Sequence, residues 1–343
     1  MRGTRKALLL CLLSGVLFLS WLLIAGYVED SSNDGKAPEL TQQQVLGLLR
    51  EAERDMEERR SLVERVCTKH NLGLYRTSAK PPVFKHPPTP QYGVFYIDRP
   101  HKLTYCPVYK VASSTWLHQL LLLAGHTDEY LNDSRLQISK LARQVYPQPD
   151  EEIAEEAFRT TMKLLMVRHP FERLISAYRD KLENKDNRHQ HGTMHFYETF
   201  GKKIVLKFRN SSVDEHGTPL RPEPTFREYV TYLIHEDVVR FDDHWIPIYL
   251  FCTPCLVRYD VIGHVETMLR DQLYAIRAAG LENLLKPRWR HLTKGKSSAG
   301  DVAKKYFSKL SKWHVQRLYE VYQLDFELFG YSPDEYAAYA IAA

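Results

Sequence analysis

The sequence predicts an α/β fold, a parallel sheet flanked by helices, set behind an N-terminal transmembrane helix. Three observations carry this expectation. From about Gly93 onward, short apolar runs of strand type alternate with amphipathic helical runs, the order that builds βαβ units. Two of the strands, in "KLTYCPVYK" and "TMKLLMVRHP", lead directly into helices through turns carrying cations or hydroxyls. And Ala7 to Gly26 is a stretch of 20 residues without a charge.

That apolar stretch comes first in the chain. As a helix it would span about 30 Å, the thickness of a bilayer core. Arg2, Arg5 and Lys6 precede it and Glu29 and Asp30 follow it, so the positive-inside rule leaves residues 1–6 in the cytoplasm and the rest of the chain across the membrane. A cleaved signal peptide is the rival reading, since Ala25 and Gly26 are small, but the run exceeds the usual apolar core of roughly 7–15 residues. Residues 27–92 read as a stem and linker. Within them Thr41 caps a helix running to about Cys67, with Val45, Leu48, Leu49, Ala52 and Met56 at helical spacing. Its densely charged opposite face suggests a solvated stem helix, whose apolar repeat admits self-association as a coiled coil. Pro81, Pro82, Pro87, Pro88 and Pro90 then interrupt regular structure.

Residues 93–335 form the expected globular domain. "GVFYI" and "KLTYCPVYK" read as strands, followed by a helix from about Thr115. Residues 150–156 open another helix with acidic side chains. "TMKLLMVRHP" reads as a buried strand and "PFERLISAYRDKLEN" as a helix with Pro170 in its first turn. Residues 184–224 look loop-rich. "TFREYVTYLIHE" reads as a helix, "CLVRYDVIGHVE" as a strand, and Asp301 to Tyr331 as mostly helical.

Composition bounds the function. The chain has 343 residues, 44% hydrophobic and 26% charged, with a net charge of +5. That balance supports a sizeable core and suits an anionic ligand without demanding nucleic acid. On the far side of a membrane, Asn132-Asp-Ser134 and Asn210-Ser-Ser212 become glycosylation sequons. Cys67, Cys106, Cys252 and Cys255 then admit two disulfides in three pairings; the expectation adopted here is Cys252–Cys255 with Cys67–Cys106. A four-thiolate zinc site is not expected, because "CTPC" has no second CxxC.

Ligands of a parallel α/β sheet sit beyond the carboxyl ends of its strands, where helix N-termini offer free N–H groups. One such turn carries Lys110 with Ser113, Ser114 and Thr115. The other carries Arg168, with Ser176 eight residues on. Ammonium, guanidinium and hydroxyl donors so placed fit phosphate or sulfate groups. The alternatives are a surface lysine beside a Ser/Thr cap, an Arg168 ion pair, and a Ser176 hydroxyl bonded to its own helix. The nucleotide P-loop GxxxxGK[ST] is absent.

"KVASSTW" followed by "RHPFERLISAYRDKLE" resembles the Golgi carbohydrate sulfotransferases that include the chondroitin and dermatan 4-O-sulfotransferases. Their motifs read like PKVACTNW and RDPFERLVSAYRDKF. The resemblance continues through "HWIPIYLFCTPCLVRYDVIGHVET" and "YFSKLSKWHVQRLYEVYQLDFELFGYS", covering most of residues 93–331 in order. It implies a P-loop-like sulfotransferase fold, a single-pass type II Golgi enzyme, and 3′-phosphoadenosine-5′-phosphosulfate as the sulfate donor, with no metal. It further implies that Tyr109, Lys110, Val111, Ala112, Ser113, Ser114 and Thr115 hold the 5′-phosphosulfate. Arg168, His169, Pro170, Phe171, Glu172, Arg173, Leu174, Ile175 and Ser176 would hold the 3′-phosphate. The departures are Tyr109 for Pro, Ser113-Ser114-Thr115 for Cys-Thr-Asn, and His169 for Asp; a hydroxyl still falls at the middle position.

Sulfuryl transfer needs an offset for charge on the leaving phosphate and a base for the acceptor hydroxyl. Lys110 is the candidate for the first. His244, in the shared "HWIPI" block, is the candidate for the second, with His101 and Asp243 as rivals. A glycosaminoglycan or other glycan is the implied acceptor, met by Lys286, Arg288, Arg290, Lys294 and Lys296 around Trp289; the alternatives for this basic segment are a solvated, mobile loop and a loop that closes over the nucleotide. The competing readings are a glycan-binding protein without turnover and, more remotely, another nucleotide enzyme.

Overall fold

The computed structural model describes residues 40–134, 136–183, 193–213, 217–289 and 299–342. The apolar segment 7–26 and the tail before it lie outside them. Among the described residues no helix is long and apolar enough to cross a membrane.

Helix α1 (Gln42–Lys69) opens with a capping box. The Thr41 hydroxyl accepts from the Gln44 N–H, and the Gln44 side chain accepts from the Thr41 N–H. Its apolar stripe is buried against the rest of the molecule, with Ala52, Met56 and Cys67 fully closed off. Arg59 donates to the buried Asp271 carboxylate at 2.7 Å and to the Ile262 carbonyl at 2.8 Å. Arg270 pairs with Asp55 at 2.5 Å. The expectation of a solvated stem helix is therefore corrected: one face is solvated, and the other is docked on the domain. Of the apolar residues offered for a coiled coil, Leu49, Ala52 and Met56 are already buried there, while Val45 and Leu48 are half-buried.

The sheet runs β1 (Tyr96–Asp98), β2 (Leu103–Cys106), β3 (Met162–Val167) and β4 (Val261–His264), in that spatial order. β2, β3 and β4 are parallel, with Tyr105 opposite Leu164 and Leu165 opposite Ile262. β1 is antiparallel to β2, so the expected parallel sheet is a mixed one. The hairpin between them turns through Arg99–Lys102. The Asp98 carboxylate accepts the His101 N–H at 3.1 Å and bonds its ring Nδ1 at 3.0 Å. Every residue of β2 is buried, as expected for a strand covered on both faces.

Between β2 and β3 lie α2 (Ser113–Leu123), α3 (Asp128–Asp133), α4 (Ile138–Val145) and α5 (Glu151–Thr160). Asp150 caps the last of these by accepting the Ile153 N–H. After β3 come α6 (Pro170–Lys181), α7 (Thr193–Phe196), a π turn over Tyr197–Gly201 and α8 (Lys202–Phe208). Part of the segment read as loop-rich is thus helical. Next come α9 (Phe226–His235), capped by a Thr225/Glu228 box, and the short α10 (Ile248–Phe251). Beyond β4 follow α11 (Met268–Ala278), α12 (Ala299–Phe307), α13 (Lys312–Phe329) and α14 (Asp334–Tyr339).

Two disulfides radiate from the "CTPC" segment. Cys255 bonds Cys67 at the end of α1, and Cys252 bonds Cys106 at the end of β2. The expected pairing of Cys252 with Cys255 and of Cys67 with Cys106 is wrong. The fold carries two distant elements to neighbouring sulfurs, which short spacing along the chain does not reveal. Gly73 is required beside the first bridge. Its φ is +51°, and a Cβ there would lie 2.1 Å from the Cys255 carbonyl oxygen, which accepts the Leu74 N–H at 2.8 Å.

Candidate active site

The carboxyl ends of β2, β3 and β4 share one edge of the sheet, and the two predicted turns leave from the first two of these. After β2 the backbone turns through Lys110 (φ +70°) and Ala112 (φ +64°), both left-handed without being glycine, while Val111 between them is not. Such conformations cost on the order of 1–3 kcal/mol each and cluster at ligand sites. Alternating φ signs turn successive amides toward one point. Helix α2 begins at Ser113 with no side-chain cap, and the N–H groups of Lys110 to Ser114 have no partner among the described residues. Ser113 is buried and Ser114 half-buried at this helix start.

Lys110 Nζ donates to Asp180 Oδ2 at 3.0 Å, and the same carboxylate oxygen takes Lys181 Nζ at 3.3 Å. Burial lowers the Lys110 pKa; Asp180 opposes this, and Lys181 and Arg168 press it lower. For Asp180, burial pushes upward, but the two ammonium groups hold it below the usual carboxylate range. Two lysines and an arginine converging on this edge, with one carboxylate between the lysines, leave positive potential at the unbonded amides. An anion placed there is stabilised.

Arg168 leaves β3 and donates to Glu172 Oε2 at 3.1 Å, while Glu172 Oε1 accepts the Tyr336 hydroxyl at 3.1 Å. The ion pair weighed as the alternative to an anion contact is therefore present, and the guanidinium remains partly exposed. Ser176 is half-buried on α6, with no hydrogen bond to its hydroxyl among the described residues.

The other members of the predicted 3′-phosphate set have defined structural tasks. His169 is the N-cap of α6. Its Nδ1 accepts the Phe171 N–H at 3.2 Å, its Nε2 hydrogen-bonds the Ser332 carbonyl, and its ring stacks on Tyr336. Pro170 occupies the first turn, and Phe171, Leu174 and Ile175 are packed in the core. Arg173 is buried on three main-chain carbonyls.

His244 faces the Lys110 turn. Its ring lies 4.4 Å from that of Tyr109, at 31°, and 5.0 Å from Phe196, edge-on. Nδ1 is 2.6 Å from Asp242 Oδ1. A carboxylate only accepts, so Nδ1 carries the proton and Nε2 is left as a lone-pair acceptor. Burial lowers the His244 pKa; Asp242 opposes this, and Lys181 and Lys110 reinforce it. Lys110 and His244 are thus brought together. His101 is not: it sits in the β1–β2 hairpin, which enters β2 at the opposite edge of the sheet, bonded to Asp98. Asp243 adjoins His244 with an exposed side chain.

The basic acceptor patch is only partly as expected. Arg288 is folded inward onto Asp128 at 2.5 Å and His118 at 3.2 Å. Lys286 is exposed and Trp289 half-buried; Arg290, Lys294 and Lys296 lie outside the described residues.

Asp180, Lys181 and Asp242 were missed by sequence reasoning. The signals were present in "YRDKLE", one helix length from Arg168, and in the doubled acid of "DDHW".

The chain matches the sulfotransferase family over residues 94–332. It is 33% identical over 250 residues to carbohydrate sulfotransferase 11 of Rattus norvegicus, covering 70% of this chain and 67% of the relative. It is 33% identical over 293 residues to carbohydrate sulfotransferase 8 of Homo sapiens, covering 81% and 63%. To carbohydrate sulfotransferase 14 of Danio rerio it is 31% identical over 238 residues, covering 68% and 61%. The chain thus spans somewhat less than two thirds of the last two relatives. No solved structure matches it. With a match across the sheet, both turns and the His244 segment, the chain belongs to the carbohydrate sulfotransferase family.

Proposed function

We propose that this protein transfers sulfate from 3′-phosphoadenosine-5′-phosphosulfate to the 4-position of N-acetylgalactosamine in chondroitin or dermatan. Sulfate transfer to a glycan rests on the family; the acceptor and its hydroxyl rest on the resemblance of the two turn motifs. The observation that carries the chemistry is the opposition of the Lys110 turn, with its unbonded amides, to an imidazole whose free nitrogen is set by Asp242.

The donor fits these residues. Its phosphosulfate is an anion of the class the Lys110–Ser114 amides and Lys110 favour. Its separate 3′-phosphate suits Arg168 and the Ser176 hydroxyl at the next turn. In the reaction the acceptor oxygen forms a bond to sulfur while its proton passes to His244 Nε2. The bond from sulfur to the bridging phosphate oxygen breaks, and its electron pair remains on that oxygen, where Lys110 offsets the charge.

The setting is part of the proposal. The uncharged segment 7–26 supports a type II anchor. Two disulfides in one domain support an oxidising lumen, as in the Golgi. Protease protection in microsomes, with N-terminal sequencing, tests this; a mature chain starting near Tyr27 overturns retention.

Incubating the full-length protein with radiolabelled donor and a glycan panel, followed by disaccharide analysis, tests the acceptor. The expected product is 4-O-sulfated N-acetylgalactosamine. Exclusive 6-O-sulfation rejects the position while leaving the transferase, and no transfer to any glycan rejects both.

The base assignment predicts a pH profile. Only neutral imidazole accepts the proton, and burial puts the His244 pKa below 6.5. The rate is therefore full at neutral pH and falls as acidity rises through a pKa under 6.5. This holds for kcat/KM, which reports the free enzyme; an acid limb of kcat/KM centred at or above 6.5 is the result that removes His244 from the role.

A further inference from the structure

Arg173 is a fully buried cation, 1% exposed, placed on α6 one turn beyond its N-cap. Its Nε donates to the Tyr109 carbonyl at 2.9 Å, Nη1 to the Ile246 carbonyl at 2.6 Å, and Nη2 to the Asp243 carbonyl at 3.1 Å. Among the described residues no carboxylate lies within ion-pair distance of it. The buried Asp325 carboxylate offsets its charge at longer range, yet a guanidinium buried without a direct ion pair is a poor way to stabilise a core, because an apolar side chain of similar volume avoids the desolvation cost. What distinguishes the site is which carbonyls are gripped. Tyr109 immediately precedes Lys110, Asp243 immediately precedes His244, and Ile246 follows it by two residues.

The same two segments meet again where the Tyr109 ring lies on His244. Helix α13 also holds the His244 segment. The Tyr322 hydroxyl donates to the Trp245 carbonyl at 2.6 Å, and the Asp325 carboxylate accepts the Ile248 and Tyr249 N–H groups at 2.7 and 2.9 Å. Those contacts fix the His244 segment to α13 but do not reach the Lys110 turn. Arg173 makes hydrogen bonds to both.

We propose that Arg173 is a positioning residue. Its three-way fork on Tyr109, Asp243 and Ile246 sets His244 against the Lys110 turn, and so sets the base against the donor. This rests on the reading of Lys110 and His244 given under Proposed function. A lysine retains the charge but not the planar, three-directional donor set, so it releases at least one of the two segments.

A double-mutant cycle on the full-length protein separates positioning from mere stability. His244→Gln lowers kcat by about a hundredfold or more, the loss of a general base. Arg173→Lys lowers kcat by about tenfold to a hundredfold, the cost of misplacing a catalytic group by ~1 Å. If Arg173 acts through His244, the double variant is no slower than His244→Gln alone, within about twofold. Multiplying losses, or wild-type turnover in Arg173→Lys, overturn the proposal while leaving the base assignment standing. Wild-type turnover in His244→Gln overturns the base assignment and the proposal together. Should Arg173→Lys not yield folded protein by thermal melting, Arg173→Gln carries no charge to bury, and the same cycle is read on it.

Discussion

Lys110→Ala lowers kcat by about 10²–10³-fold, the loss seen when a donor aimed at a developing oxyanion is removed, and leaves donor affinity much less changed. The split follows from where charge appears. In the bound donor the bridging oxygen is nearly neutral; in the transition state it takes up the electron pair, so the interaction grows along the reaction coordinate. The structure adds a reason why the variant folds. Asp180 keeps Lys181 at 3.3 Å when Lys110 is gone, so no carboxylate is stranded. The comparison is Arg168→Ala, which removes the contact proposed for the remote 3′-phosphate. Losing a charge-assisted hydrogen bond costs roughly 1.5–3 kcal/mol, about tenfold to a hundredfold in donor affinity, with kcat near wild type. Glu172 again keeps a partner, the Tyr336 hydroxyl. Calorimetry with the donor and steady-state rates on both variants read the split. Undiminished turnover in Lys110→Ala removes the leaving-group role, and wild-type donor affinity in Arg168→Ala removes the phosphate contact.

The two turns were legible because their residues are local. A strand, a lysine or arginine, and a helix start lie within a dozen positions, so the strand-to-helix placement of each turn can be read from neighbours in the chain. The helix ends were legible for the same reason: Thr41, Asp150 and Thr225 each bond an N–H three residues on. The antiparallel β1 was not. Its strand is three residues long, and the turn Arg99–Lys102 has no glycine; Lys102 itself takes the positive φ, at +50°. The docking of α1 depends on Asp271 and Cys255, about 200 residues away, and helical periodicity says only that a face is apolar, not what covers it. Arg173 looked like one more basic residue in an anion-binding motif. Its burial depends on carbonyls from three positions, and main-chain acceptors leave no trace in sequence.

Removing the Cys106–Cys252 bridge, as the double variant Cys106→Ser/Cys252→Ser, destabilises the domain by about 2–5 kcal/mol, a fall in Tm on the order of 10 °C. Removing Cys67–Cys255 in the same way does nearly the same. Chain entropy depends on the logarithm of loop length, so sequence separations of 146 and 188 differ by only about 0.2 kcal/mol. The two pairs part in function. Cys106 ends the strand that feeds the Lys110 turn, and Cys252 follows the His244 segment at the end of α10, so that bridge is a covalent counterpart to the Arg173 fork. Cys67 belongs to α1, which touches neither turn through its disulfide. At a temperature where all forms are folded, kcat therefore drops in the Cys106/Cys252 variant and holds in the Cys67/Cys255 variant. Mass mapping without reduction checks the pairing itself, and a peptide joining Cys252 to Cys255 refutes it. Equal kcat in the two variants, with the pairing upheld, means that the bridge at the active edge serves stability alone and that Arg173 and the packing of Tyr109 on His244 suffice to hold the two segments in place.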